Sequence, residues 1–256
     1  MITPFSLPSN PNIQVALREA TVADAIDFAD VDEGHEEALT TMFLGRMQDA
    51  GTVRDPRKWT GEDRRFALYW YWLHTAKDMD VAHTYECQHC GETHVYLQDF
   101  RKLADSYTPI DGAAEREGRF RGEKIVVRPL SGWNMEALER MKLALDVSKG
   151  GAHKKGQAMM TFERTAMCVD FKDEKETDRV KREEKKRKRL MAMALAEFQE
   201  LMGIATDLLA EMKHGLEMVY VEGRLYLLMP PHECPAKGEQ TRLRYYFRNS
   251  DYVPDL

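Results

Sequence analysis

Phe66-Ala67-Leu68-Tyr69-Trp70-Tyr71-Trp72-Leu73 is an unbroken run of apolar and aromatic residues. At roughly 100° per residue such a run covers every face of a helix, so the element it forms has no solvent side and must be enclosed. Thr60-Gly61-Glu62-Asp63 precedes it, a hydroxyl residue with an acid three places on, which is an arrangement that caps a helix start. The other elements are therefore expected to wrap around a central core helix; an aromatic-lined groove for a partner is the alternative. Basic residues are not interleaved with the rings, which argues against a stacking platform for single-stranded nucleic acid.

The stretch His83 to Tyr96 reads as two short strands joined by the turn Cys87-Gln88-His89-Cys90-Gly91. Two thiolates on one tight bend point the same way, and Gly91 permits the left-handed backbone that closes it, so the turn has the shape of a zinc knuckle. A tetrahedral site needs four ligands. Cys87 and Cys90 supply two. The further candidates are His83 and His94 on the flanking strands, with His232 and Cys234 as a distant pair in Pro231-His232-Glu233-Cys234-Pro235. A metal-free hairpin is the other reading. Cys168, at the end of the helical stretch Thr161 to Cys168, is expected to be a small buried hydrophobe.

Along the chain, the pattern is that of an α+β protein. Its N-terminal domain is helical, with short antiparallel strands and the zinc-knuckle-like hairpin; a long helix and a C-terminal β-hairpin follow. Residues 1–12 are Pro, Ser and Asn rich and read as an extended arm. The domain spans 13–148. Within it a strand at 12–18 leads to a Thr21/Asp24 cap, and Lys124-Ile125-Val126-Val127-Arg128 leads to a Ser131 cap, two similar units that suggest a duplicated block with paired strands. Residues 149–156, with three glycines, read as a linker. From 157 to 215 a long helical region is expected, charged at its start. Its end carries Met191, Leu195, Phe198, Met202, Ala205, Leu209 and Met212 at coiled-coil spacing. The basic run Lys185 to Arg189 is either a solvated face or a dock for an acidic protein surface. Residues 216–256 hold a hairpin turning at Glu222-Gly223 and a second arm.

With 256 residues and 43% hydrophobic content, the chain is long enough for one large or two modest cores. A net charge of -6 argues against a general nucleic-acid binder. No apolar run approaches the roughly 20 residues needed to cross a bilayer. The first residues lack a basic region followed by an apolar core, so synthesis in the cytoplasm is expected, with thiols reduced and available to a metal. No nucleophile elbow, His-Glu-x-x-His helix or phosphate-cradling loop is present, and His35, His74 and His153 sit in polar surroundings or near helix ends. A non-enzymatic role is the expectation.

Up to about residue 148 the chain resembles the baseplate hub assembly and hub subunit proteins of T-even type bacteriophages. The features that carry this are Leu7-Pro8, the strand Val15-Ala16-Leu17-Arg18, the aromatic helix after Trp59-Thr60-Gly61-Glu62-Asp63-Arg64-Arg65, the Tyr85 to Gly91 knuckle, and Ile125-Val126-Val127-Arg128-Pro129-Leu130. The resemblance implies a non-enzymatic subunit of a contractile-tail baseplate, made in the host cytoplasm, located in the virion and bound to other tail proteins. A hub assembly chaperone that leaves before maturation is an alternative within the same biology. A zinc-ribbon regulatory or nucleic-acid-binding protein is the alternative outside it.

Overall fold

The computed structural model describes residues 2–31, 34–49, 54–77, 80–104, 107–172 and 176–254; the ends of the two expected arms, at 1 and 255–256, and residues 173–175 of the charged stretch lie outside them. The described chain begins with a hairpin of β1 (Phe5–Leu7) and β2 (Asn10–Val15), then α1 (Val22–Ala29), α2 (Glu36–Met47) and a 3-10 turn at Pro56–Lys58. The aromatic run lies on α3 (Gly61–Thr75). The helix starts are fixed by local chemistry: Thr21 with Asp24 and Thr60 with Asp63 each form a reciprocal capping box.

Next come the hairpin β3 (Asp80–Glu86) and β4 (Thr93–Asp99), a single turn α4 (Arg101–Ala104), and the strands β5 (Arg116–Phe120) and β6 (Glu123–Val127). Helices α5 (Gly132–Asp146) and α6 (Gly150–Cys168) precede β7 (Val169–Phe171), which completes the sheet β5-β6-β7. Two more helices follow, α7 (Arg179–Met191) and α8 (Leu195–Ala210). The chain closes with β8 (Met218–Val221), β9 (Arg224–Leu228), β10 (His232–Glu233), β11 (Gln240–Thr241) and β12 (Arg244–Tyr246), forming the sheet β12-β9-β8 and the small hairpin β10-β11. Among the described residues this is a mixed α+β protein of eight α-helices and several small antiparallel sheets.

The apolar residues form two cores. The first surrounds α3: Phe66, Leu68 and Tyr69 are at most 1% exposed, Phe5 meets Phe66 edge-on at 5.6 Å, and Phe43 meets Tyr71 at 4.8 Å. Its members come from residues 2–103 and again from 216–252. The second core, drawn from residues 110–212, packs Ile125, Val127, Phe162, Val169, Leu190 and Leu201 between the β5-β6-β7 sheet and helices α6 to α8.

Both expected arms are parts of the first core. Ile2, Phe5 and Leu7 are buried, and Ser9 donates from its amide (2.8 Å) and hydroxyl (2.5 Å) to the Asp63 carboxylate. At the other end a 3-10 turn at Asn249–Tyr252 buries Tyr252, while Asn249 donates to Thr40 Oγ1 and Ser250 to the Glu36 carboxylate, each at 2.8 Å. Apolar side chains spaced through otherwise polar stretches hold the ends in place, which composition alone conceals.

The expected linker and long helix also differ. Residues 150–156 form the first turns of α6, and a Cβ at Gly156 would come within 2.6 Å of Leu145 Cδ1, so that glycine serves a close helix-helix approach. Helical structure is interrupted twice between 157 and 215. Val169 and Phe171, both buried, leave α6 to pair with Val127 and Ile125 of β6, and Asp178 caps a fresh helix at α7. A second break at 192–194 separates α7 from α8, leaving Met191 and Leu195 exposed, whereas Leu201 and Met212 reach the second core. The seven-residue spacing runs through the break because it is a property of the letters, not of a continuous helix.

Within the basic run, Lys186 bonds Asp170 and Glu183, Arg187 bonds Glu163, and Arg189 bonds Glu123 and lies 3.7 Å from the Phe171 ring centroid. Those three charges fasten α7 to the second core. The two strand-cap-helix units do not pair: β2 pairs with β1, and β6 with β5 and β7. Instead the caps of α3 and α5 meet, Gly61 donating to Leu130 O and Gly132 to Trp59 O. Beside this joint the nearly inaccessible Arg64 donates to Thr41 Oγ1 (2.8 Å), Pro56 O (3.2 Å) and the Glu37 carboxylate (3.0 Å).

Candidate metal centre

β3 and β4 pair in unbroken register from Asp80↔Asp99 to Glu86↔Thr93. Period-two alternation turns His83, Tyr85, His94 and Tyr96 inward and leaves Val95 and Leu97 outside. At the tip Cys87 N–H donates to Glu92 O (2.9 Å) and Gly91 N–H to Cys87 O (2.8 Å), with Gly91 at φ 77°, the left-handed conformation expected from the sequence. The turn brings Cys87 and Cys90 together, and Cys90 Sγ lies 3.1 Å from His94 Nε2.

The fourth donor comes from the other end of the chain. A turn between β10 and β11 carries Cys234, and the ligand atoms of Cys87, Cys90, His94 and Cys234 all lie within 4.8 Å of one another. Cys87 and Cys234 are buried; the other two are half-buried. All four cysteines of the chain are free thiols. Three sulfurs and one imidazole at such separations can hold a metal such as zinc.

Burial opposes ionisation of Cys87, but hydrogen bonds from the His89 and Cys90 amides and from neighbouring thiols outweigh it and bring this thiol down to about 7. At Cys90 the Glu92 amide favours the thiolate, while burial and the adjoining Cys234 and Cys87 act the other way and leave it above the ordinary thiol value.

Of the sequence candidates, His94 and Cys234 therefore join Cys87 and Cys90, whereas His83 and His232 do not. His232 stacks on Tyr96 (centroids 4.1 Å apart), and its Nε2 meets the Tyr85 hydroxyl at 2.7 Å. His83 lies edge-on to Tyr245 at 5.1 Å. Burial lowers both imidazoles below the ordinary histidine value, assisted at His232 by the nearby His94. They belong to the aromatic bed on which the C-terminal turn rests. Cys168 packs into the second core, where burial pushes its thiol up to about 11, in keeping with its expected role as a small hydrophobe.

The sequence reading overlooked how the second turn is built. Cys234-Pro235-Ala236-Lys237-Gly238-Glu239 repeats the Cys-x-x-x-Gly-Glu spacing of Cys87 to Glu92, a signal visible in the letters but masked by the absence of a second cysteine pair. The His89 Nε2 contact with Gln240 O (3.1 Å) joins the two turns directly.

No protein-family model, curated protein or solved structure matches the chain.

Proposed function

We propose that this chain is a non-enzymatic structural subunit of a contractile-tail phage baseplate, at or near the hub, and that its Cys87-Cys90-His94-Cys234 centre holds a structural zinc. The carrying observation is the four-donor cluster. Four protein ligands complete a tetrahedral shell and leave no position for a water or substrate, as structural rather than catalytic zinc sites do. Thiolate-rich donors favour zinc over the hard cations magnesium and calcium. Bound there, the ion ties the β10-β11 turn to the β3-β4 hairpin and so fastens segments more than a hundred residues apart in the chain.

The baseplate assignment rests on the resemblance of the segment up to about residue 148. The hairpin adds a surface suited to adhesion: Val95 and Leu97 on its outer face are 65% and 71% exposed, beside exposed Ala82 and Thr84. A contiguous apolar face of this kind suits a neighbouring tail protein. The chain ends, expected as extended arms, pack on the protein's own first core and lend the reading no support. Among the described residues no helix is long and apolar enough to cross a membrane.

Two measurements test the proposal. Elemental analysis of purified protein should return one zinc per chain, and a substoichiometric trace removes the metal centre. Mass spectrometry of purified virions should detect the chain; its absence from mature particles favours the assembly chaperone. DNA binding that falls steeply with added salt would instead favour the nucleic-acid-binding alternative.

A further inference from the structure

The two hairpins that meet at the metal centre end in the same turn. In the first, Cys87 N–H donates to Glu92 O at 2.9 Å and Gly91 N–H to Cys87 O at 2.8 Å; in the second, Cys234 N–H donates to Glu239 O and Gly238 N–H to Cys234 O, both at 2.8 Å. The closing glycines share a left-handed backbone, φ 77° at Gly91 and 68° at Gly238. The register agrees as well: the residues flanking each turn pair as Glu86↔Thr93 and Glu233↔Gln240, and the next as Tyr85↔His94 and His232↔Thr241. Residue by residue, Cys234 corresponds to Cys87, Lys237 to Cys90 and Thr241 to His94.

In the first turn this backbone aims both cysteines at one point. The second turn shares those two hydrogen bonds and the glycine conformation, with a further bond from the Lys237 amide to Cys234 O (3.3 Å), so residue 237 holds the place in its turn that Cys90 holds in the first, and Cys234 already faces the shared cluster. We infer that position 237 is a metal-ligand position of this centre, occupied in this chain by a lysine, and that His94 supplies the fourth donor in its place. A protonated lysine amine has no lone pair to give, so Lys237 is not itself a ligand. The centre is a two-turn ribbon with an uneven grip: three donors on the β3-β4 hairpin, one on the C-terminal turn.

The inference rests on the metal-centre reading and is tested with it. Cobalt(II) is titrated into the wild type, His94→Ala, His94→Ala with Lys237→Cys, and His94→Ala with Ala236→Cys. Ala236 corresponds to His89, which lies outside the cluster. The Lys237→Cys double variant should restore stoichiometric cobalt binding, its thiolate-to-metal absorption exceeding that of the wild type in the ratio of four sulfurs to three, while the Ala236→Cys double variant stays at the level of His94→Ala. Should His94→Ala fail to fold, His94→Gln takes its place in each of the three variants. A wild type without a thiolate-to-cobalt band overturns both readings. A wild type that binds, with a Lys237→Cys double variant indistinguishable from His94→Ala or from the Ala236→Cys control, overturns the ligand position alone.

Discussion

The two cores differ in how the chain supplies them. The second is gathered from one continuous stretch, residues 110–212, and its sheet strands and helices follow one another closely. The first is assembled from residues 2–103 and 216–252, so every contact between its halves closes a loop of more than a hundred residues. Ion pairs border both, Lys186 with Asp170 and Arg187 with Glu163 at the contiguous core, Arg64 with Glu37 and Arg18 with Asp24 at the split one. The split core adds polar ties at both chain ends and, beside it, the four-donor cluster that can hold a metal. Closing a long loop costs entropy, and the four-donor cluster spans one such loop, between His94 and Cys234.

The strongest way to break this contrast is to hollow out either core. Phe66→Ala, in the middle of α3, should cost about 3–5 kcal/mol, and Leu201→Ala in the second core about 2–5 kcal/mol. Urea denaturation followed by tryptophan fluorescence and hydrogen exchange should show Leu201→Ala loosening α6 to α8 while uptake of added zinc by the proposed centre is unchanged. Equal loosening of both cores by either variant would mean that they are one unit.

Stripping the metal with a chelator sharpens the same contrast. A crosslink across a long loop is typically worth about 2–4 kcal/mol, and a metal clasp acts on the unfolded chain in the same way. Amide protection should fall in β8 to β12 and remain in α7 and α8. Uniform exchange before and after chelation would show that the centre does not secure the split core.

Gly132→Ala addresses the joint between the α3 and α5 caps. A Cβ there would approach Arg57 Cα to 2.8 Å and Pro56 O to 2.9 Å, so the backbone must shift. Overpacking of this kind costs about 1–3 kcal/mol, readable as a lowered urea midpoint.

The smallest expected effect is a pH dependence at Asp24, where the Arg18 guanidinium and the Thr21 amide hold the carboxylate far below its usual range. A depressed carboxylate contributes stability above its unfolded pKa of about 3.9 and loses it as pH falls from there toward the folded value. Asp24→Asn should therefore melt lower than wild type at neutral pH and converge with it in acid. Parallel curves across the whole range would remove Asp24 from the account.

What the letters revealed was mostly local. Thr21 with Asp24, Thr60 with Asp63, and Ser131 mark helix starts because a cap is settled within four residues, and the Glu222-Gly223 turn follows from the same short-range logic, both residues having positive φ. The Cys87 to Cys90 turn was legible for that reason. His94 and Cys234 could be named as candidates but not chosen over His83 and His232, because that choice depends on where Tyr85, Tyr96 and Tyr245 place the imidazoles. The burial of Ile2, Phe5 and Tyr252 was hidden because the partners of these residues lie far away in sequence. Met191 and Leu195 kept a helical spacing across a point where the helix stops, so periodicity there misled.

The division of the first core between two distant stretches also sets an order of events during translation. Residues 110–212 leave the ribosome before 216–252, so the contiguous half can collapse while the aromatic face of α3 still lacks the covering of Leu227, Met229, Phe247 and Tyr252. A nascent chain at that stage leaves the side of Tyr69 and Trp72 that Tyr252 later covers open to water, a surface for holdase binding that closes once the last strands arrive and Cys234 joins Cys87, Cys90 and His94.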